Sequence, residues 1–206
     1  GTEANNLAIL GLAAHGQATG RKHILSSEIE HKAVLEPLES LQEAGFEVEL
    51  VRSTPGGWVS PEEISSRLRE DTLLVSVMQV NNETGVAQPL SEIADLLEGH
   101  EAYLHSDAAQ GFGKDIESLK HPRLDLVSLS GHKIYGPMGI GALVARRRKS
   151  GSPPISSLVY GGGQERGLRP GTLPVALVAG FGLCAELAAS EFAERADRCL
   201  QFKEAL

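Results

Sequence analysis

The chain alternates short β-rich runs with longer amphipathic segments. The runs predict six strands, at His23–Ser26, Glu47–Arg52, Leu73–Gln79, Tyr103–Ser106, Leu124–Ser128 and Gly141–Ala145. Helical spacing of apolar residues predicts helices at His31–Ala44, Pro61–Glu70, Leu90–Glu98 and Val175–Leu206. Strands that alternate with helices are typical of an α/β fold, in which helices flank a mostly parallel central sheet.

Polar clusters follow three of the predicted strands. They span Gln79–Glu83, Ser106–Gln110 and Ser130–Lys133. Ligands of open α/β sheets bind beyond the carboxyl ends of the strands. We therefore expect these three clusters to meet at one edge of the sheet.

Composition narrows the class of protein. The 206 residues are 41% hydrophobic and 22% charged, which suits one globular domain. A net charge of -8 argues against nucleic acid as a partner, because phosphate binding needs a basic face. The short basic run Arg146–Lys149 is interpreted as a solvated loop.

The sequence predicts no membrane span, secretory leader, disulfide framework or metal site. No apolar run is interpreted as approaching the roughly 20 residues of a membrane span, so no membrane contact is expected. The N-terminal residues do not predict a secretory leader, and the two cysteines, Cys184 and Cys199, do not predict a disulfide framework. Both observations favour the cytoplasm. The histidines and cysteines lack metal-ligand spacing, so no metal site is predicted.

Two ionisable residues at strand ends are candidates for chemistry. Lys133 follows a β-run in a small-residue loop, where a lysine held partly out of water can become a Schiff-base nucleophile. Asp107 follows another run, where a carboxylate can pair with a protonated pyridine nitrogen. Each also has a plain structural interpretation, as an exposed loop lysine and as a turn-capping aspartate.

Four other residues could contact a pyridine-containing cofactor of this kind. Gln110 could hydrogen-bond a ring oxygen, and Asn82 lies in a polar turn after a strand. Thr2 lies in a small-residue turn that leads into a helix, which is a possible phosphate site. His31 begins a helix after a strand, where its ring could stack on a planar cofactor or move protons. A surface amide, a plain turn, a helix cap and a partly buried histidine are the structural alternatives.

Six stretches in this order resemble the cysteine desulfurase and selenocysteine lyase family of class-V aminotransferase-like enzymes. They are Gly1–Ile9, Glu30–Leu35, Val80–Val86, His105–Gln110, Ser130–Pro137 and Gly161–Thr172. Each stretch alone is modest, but together they cover nearly the whole chain. The resemblance implies the large cofactor-binding domain of a fold-type I enzyme that uses pyridoxal 5'-phosphate.

The resemblance also implies a role for each matching residue. Lys133 would form the Schiff base and shuttle the substrate proton, and His31 would stack on the pyridine ring. Asp107 would pair with the ring nitrogen. Gln110 would hydrogen-bond the ring oxygen, and Asn82 would lie near the ring oxygen and the substrate carboxylate. The cofactor phosphate would be bound by Thr2, Ser130, His132 and Thr172. Thr172 would reach the phosphate of the other subunit, which implies a homodimer.

Two features of the family have no match here. These are the mobile cysteine that takes the sulfur and the arginine that grips the substrate carboxylate. Residues 1–206 are therefore interpreted as a partial large domain, without the family's N-terminal segment and C-terminal small domain. The leading function is cysteine desulfurase, which converts L-cysteine to alanine and a persulfide, with a possible sulfur-acceptor protein. The alternatives are a selenocysteine lyase, another class-V enzyme, and a cofactor- or partner-binding fragment without turnover.

Overall fold

A six-stranded sheet forms the centre of the fold in the computed structural model, which describes residues 1–205. The strands are β1 His23–Ser27, β2 Glu47–Val51, β3 Thr72–Ser76, β4 Tyr103–Asp107, β5 Leu126–Ser130 and β6 Gly141–Ala145. Their order across the sheet is β2-β1-β3-β4-β5-β6. Neighbours are parallel from β2 to β5, and β6 pairs antiparallel with β5. The predicted α/β class with a mostly parallel sheet is confirmed.

Six α-helices accompany the sheet. They are α1 Thr2–Leu10, α2 Ala13–Thr19, α3 Lys32–Glu43, α4 Pro61–Arg67, α5 Leu90–Leu96 and α6 Val175–Glu204. Short 3₁₀ segments occur at Glu117–Lys120, Gly131–Ile134 and Gln164–Gly167. Ser60 caps α4, because its hydroxyl accepts a hydrogen bond from the backbone N–H of Glu63 at 3.4 Å.

Two apolar clusters, one on each face of the sheet, form the core. Successive strand residues point to opposite faces, so Ile24 joins one cluster and Leu25 the other. The first cluster includes residues of α1 and α3, and the second includes residues of α4 and α5. All five residues of β1, β3 and β5 are buried, as expected for strands covered on both faces.

The predicted bounds of two strands, β3 and β5, differ from the structure by more than one residue. β6 matches its prediction residue for residue, but β5 lies two positions later than predicted, and β3 ends at Ser76 rather than Gln79. The backbone N–H groups of Val77 and Gln79 still donate to carbonyl oxygens of β4 residues, His105 and Asp107. The chain thus continues beside β4 after β3 ends, and it carries the loop that follows toward the cleft described below.

Helix α6 is more apolar and more exposed than the sequence interpretation allowed. An 18-residue window within it has a mean hydropathy of 1.6, and only 6% of that window is buried. By length and composition this helix could cross a membrane, so the statement that no run approaches that length is wrong. A single helix that passes this test is weak evidence for a membrane span. Cys184, on α6, is half-buried, and Cys199 is exposed.

The interpretation of Arg146–Lys149 as a solvated loop is wrong for two of its arginines. The guanidinium of Arg146 donates to the carbonyl oxygen of His121 at 2.6 Å. The guanidinium of Arg148 pairs with Asp125 at 2.6 Å and lies 4.5 Å from the ring centre of Tyr103. These residues tie the start of β4 and β5 to the chain after β6.

We expect Asp125→Ala to lower the free energy of unfolding by about 3 kcal/mol, because it leaves two partly buried guanidinium groups without their carboxylate partner. Asp125 is 1% exposed, pairs with Arg123 and Arg148, and accepts a hydrogen bond from the backbone N–H of Leu104 at 2.7 Å. Urea denaturation measures the loss. Asp95→Ala is the matched control, since its carboxylate is 71% exposed and a surface pair contributes about 0.5 kcal/mol. Equal losses in the two variants would contradict this account.

Candidate active site

A cleft of about 380 Å³ opens at the carboxyl edge of the sheet. It brings together eight of the residues that the sequence singled out. These are Thr2, His31, Asn82, Asp107, Gln110, Ser130, His132 and Lys133. They come from the start of α1 and from the segments that follow β1, β3, β4 and β5.

The strand order explains why the cleft lies here. From β1 the chain passes through α3 to β2 on one side, whereas from β3 it passes through α5 to β4 on the other side. Connections that leave adjacent strands in opposite directions open a crevice beyond their carboxyl ends. His31 follows β1 and Asn82 follows β3, so the two residues line opposite sides of this crevice.

Asp107 is the last residue of β4, and it is 7% exposed. Its Oδ1 accepts a hydrogen bond from the backbone N–H of Ala109 at 2.9 Å, and its Oδ2 accepts one from the Asn5 amide at 2.7 Å. These two donors fix the plane of the carboxylate. Each oxygen keeps a further lone pair for a cationic or N–H donor in the cleft.

A buried histidine lies two residues before Asp107 on the same strand. His105 Nδ1 lies 2.8 Å from the hydroxyl of Ser76, and Nε2 lies 3.0 Å from the hydroxyl of Ser128. Burial lowers the pKa of His105 to about 4, although the nearby Asp107 charge acts in the opposite direction. The imidazole is therefore neutral near pH 7, and it links β3, β4 and β5 beneath the cleft.

The segment after β5 presents three polar side chains. Ser130 ends the strand, and its hydroxyl lies 3.0 Å from His132 Nδ1. A 3₁₀ turn then carries His132 and Lys133, and it ends at Tyr135 with a φ of 65°, a left-handed conformation uncommon for a non-glycine residue. A side chain at Gly131 would approach the Ile140 side chain to 2.8 Å, so the turn needs glycine there. This tight turn holds Lys133 half-buried at the cleft.

His31 is the N-cap residue of α3. Its Nδ1 accepts a hydrogen bond from the backbone N–H of Ala33 at 3.0 Å, which leaves the ring proton on Nε2. The ring is exposed and lines the cleft. The cap therefore fixes the ring orientation while one face and Nε2 stay accessible to a ligand.

Asn81 and Asn82 have different surroundings. The side-chain Oδ1 of Asn81 accepts hydrogen bonds from the backbone N–H groups of Glu83 and Thr84 at 3.0 and 2.9 Å, and the side-chain amide donates to the Ile29 backbone carbonyl at 3.0 Å. Asn81 thus closes the turn that the sequence suggested. Asn82 is half-buried, lines the cleft, and donates to the Glu83 carboxylate at 2.7 Å.

Thr172 is the one residue of the predicted set that does not line the cleft. It is exposed, in the segment between the 3₁₀ turn Gln164–Gly167 and α6. The predicted contact of Thr172 with a phosphate concerns a second subunit. That contact stays a prediction.

Asn5 is a site residue that sequence reasoning missed. It is 1% exposed and lines the cleft, and its Oδ1 has no hydrogen-bond partner among the described residues. A signal was present, because Asn5 is a polar residue on the same helical stripe as the buried residues Ala8, Ile9 and Leu12. The sequence could not show that this stripe faces Asp107, 102 positions away.

Comparisons with known proteins show the family of the chain. The family model described as aminotransferase class-V matches residues 1–205. A mitochondrial cysteine desulfurase of Eremothecium gossypii is 46% identical over 93% of this chain, which covers 38% of that protein. Cysteine desulfurase IscS of Aeromonas hydrophila is 43% identical over the whole chain, which covers 50% of that protein.

Two solved structures resemble the chain in both sequence and fold. DndA from Streptomyces lividans is 54% identical with a TM-score of 0.91, and the match covers 94% of this chain and 55% of DndA. SspA, solved in complex with cysteine, is 40% identical with a TM-score of 0.81, and the match covers 90% of this chain and 52% of SspA. The chain spans about half the length, or less, of the curated relatives that it matches. It belongs to the aminotransferase class-V family, and the two curated relatives named above are cysteine desulfurases.

Proposed function

We propose that the protein containing this chain is a pyridoxal-phosphate-dependent cysteine desulfurase. In the reaction, L-cysteine and a protein thiol give alanine and a protein persulfide. The observation that carries the proposal is the meeting of Lys133 and Asp107, from two different strand ends, in one cleft. The desulfurase relatives and the structure of SspA with cysteine support L-cysteine as the substrate.

The residues of the cleft fit the proposed cofactor. Hydroxyls of Thr2 and Ser130, the His132 ring and the first N–H groups of α1 are donors suited to a dianionic phosphate. Asp107 supplies a carboxylate for the ring nitrogen. Lys133 supplies the amine for the aldehyde carbon. The volume of about 380 Å³ lies in the range of small-molecule sites.

Each side chain has a separate task in this proposal. When bound, pyridoxal phosphate withdraws electrons from the α-carbon of an attached amino acid, so that the bond from the β-carbon to sulfur can break. Asp107 would keep a proton on the ring nitrogen, and His31 would stack on the ring. Gln110 and Asn82 are the donors for the ring oxygen. Lys133 Nζ takes the α-proton of the substrate.

We also infer the domain, the assembly, the sulfur acceptor and the compartment. The chain is part of the large cofactor-binding domain, and Thr172 reaches the phosphate of a second subunit in a homodimer. A sulfur-acceptor protein receives the persulfide sulfur. The proposed compartment is the cytoplasm. This proposal rests on the sequence expectation alone, since the relatives include mitochondrial desulfurases and do not decide the compartment.

The test uses the full-length protein, purified with pyridoxal phosphate. We expect a visible absorption band of the bound cofactor, and equal amounts of alanine and sulfide when L-cysteine and a reducing thiol are added. Faster turnover of selenocysteine than of cysteine would favour the lyase instead. A band without any turnover would favour a protein that only binds the cofactor. Absence of both band and turnover would exclude the proposal.

We expect Asn5→Ala to weaken cofactor binding by roughly tenfold, since a hydrogen bond to a charged group contributes about 1.5 kcal/mol. The substitution removes the amide that orients Asp107 Oδ2. Titration of the cofactor-free protein with pyridoxal phosphate gives the dissociation constant. The thermal unfolding midpoint of the cofactor-free variant serves as the control for folding. An unchanged dissociation constant would contradict the role of Asn5.

A further inference from the structure

Glu30 is a buried carboxyl group beside the cleft that has no part in the roles above. It is 6% exposed and directly precedes His31, whose ring lines the cleft. Glutamate is rarely buried to this degree unless it is paired with a cation. The described residues include no cation bonded to Glu30, so its burial needs another explanation.

The contacts of Glu30 join two adjacent strand ends. Its Oε1 accepts a hydrogen bond from the hydroxyl of Ser27, the last residue of β1, at 2.5 Å. The same oxygen accepts one from the backbone N–H of Met78, just after β3, at 2.8 Å. Its Oε2 has no partner among the residues that the structure describes.

This pattern suits a protonated carboxyl group. Both donors act on Oε1, which leaves Oε2 to carry the proton. Burial raises the pKa of Glu30 to about 8, against the effect of the two hydrogen bonds. The charged group that acts on it is Asp107, at the end of β4, and its like charge also disfavours ionisation. His31 is the adjacent titratable residue.

The bond to Met78 sets the spacing of two walls of the cleft. The segment that leads into α3 carries His31, and the loop after β3 carries Met78 and Asn82, all of which line the cleft. A second hydrogen bond joins the same two segments, from the Asn81 side-chain amide to the Ile29 carbonyl oxygen at 3.0 Å. Residues 29 and 30 are therefore both fixed to the loop after β3 immediately before His31.

We propose that Glu30 is a positioning residue that acts as a neutral hydrogen-bonding bridge and holds His31 at a set distance from the loop after β3. The inference rests on the proposed function only for the identity of the ligand in the cleft. A glutamine at position 30 can keep a carbonyl oxygen for Ser27 and Met78, whereas an alanine cannot.

The test compares Glu30→Gln and Glu30→Ala in the full-length protein loaded with pyridoxal phosphate. Glu28→Ala is the matched control, because Glu28 lies two residues away and its side chain is exposed. The readouts are the visible circular dichroism of the bound cofactor and kcat for alanine formation. We expect Glu30→Ala to change the dichroism and lower kcat by roughly tenfold or more, because a small misplacement of a site residue is costly. Glu30→Gln should stay within about threefold of the wild type.

Two results would overturn the proposal. One is wild-type dichroism and kcat in Glu30→Ala. The other is equal impairment in Glu30→Gln and Glu30→Ala, which would mean that the charge is needed. If Glu30→Ala does not fold, Ser27→Ala removes one of the two donors without opening a large cavity. It should change the dichroism in the same direction, and wild-type behaviour there would count against the bridge.

A cofactor-free measurement separates this proposal from the proposed function. The folded pKa of about 8 lies above the ordinary value of 4.5, so folded Glu30 keeps a proton that the unfolded chain has lost between those pH values. Wild-type stability should therefore fall relative to Glu30→Gln as pH rises from about 5 to 8. Thermal unfolding midpoints of the two cofactor-free proteins should diverge across this window. Midpoints that stay parallel would contradict a neutral Glu30, even if the wild type binds no cofactor.

Discussion

Replacing Lys133 by alanine should abolish the covalent attachment of the cofactor and lower alanine formation by about 10³-fold or more, as expected when a covalent catalytic residue is lost. The tight turn after β5 holds this lysine half-buried at the cleft, where the proposed function would use its amine for both cofactor attachment and transfer of the substrate α-proton. The visible absorption spectrum and the rate of alanine release measure the two losses.

Borohydride reduction makes the assignment specific. Reduction of the wild-type protein should leave a mass increment of the cofactor on the peptide that contains Lys133. Lys114→Ala is the control lysine variant, and it should keep both the absorption band and the label. A label on Lys22, Lys32 or Lys114 in the wild type would overturn the assignment.

Replacing Asp107 by alanine should lower kcat by roughly a hundredfold, equivalent to about 3 kcal/mol of transition-state stabilisation. The carboxylate is nearly buried and fixed by Asn5 and Ala109, so it would be oriented in advance for a cationic ring nitrogen. The variant would lose the carboxylate that we propose keeps this nitrogen protonated. The measurements are kcat for alanine formation and the visible spectrum as a function of pH.

Two controls make the Asp107 result interpretable. Asp95→Ala removes an exposed carboxylate and should leave both kcat and the spectrum unchanged. Asp107→Asn keeps the shape of the side chain but removes its charge, so it should be nearly as slow as the alanine variant. Wild-type kcat in Asp107→Asn would show that the charge at this position is not needed.

The fold class was readable from the sequence because strand and helix periods differ. Apolar runs placed β1, β2, β4 and β6 within one residue at either end, and β6 without error. β5 was placed two residues early, since Leu124 and Asp125 look like the start of a strand. In the structure Asp125 instead pairs with its near neighbour Arg123 and with Arg148, 23 positions away, and the local pattern does not reveal the second pair.

The membership of the cleft was also largely readable, because polar clusters after parallel strands meet at one edge of the sheet. Eight residues named from sequence line it. Asn5 and Glu30 were not among them. Their importance depends on partners beyond their own segments, Asp107 for Asn5 and Met78 for Glu30. A resemblance in sequence assigns roles to ligand contacts more readily than to the side chains that support them.

The sequence by itself determined the alternation of strands and helices, the position of each polar cluster at a strand end, and the family resemblance. Only the tertiary structure decided the strand order, the pairing of Asn5 with Asp107, the ion pairs of Asp125 and the burial of Glu30. The physical reason is the range of the interactions. Periodicity and turn chemistry act over a few residues, whereas burial and hydrogen bonding between distant segments exist only once the sheet has assembled.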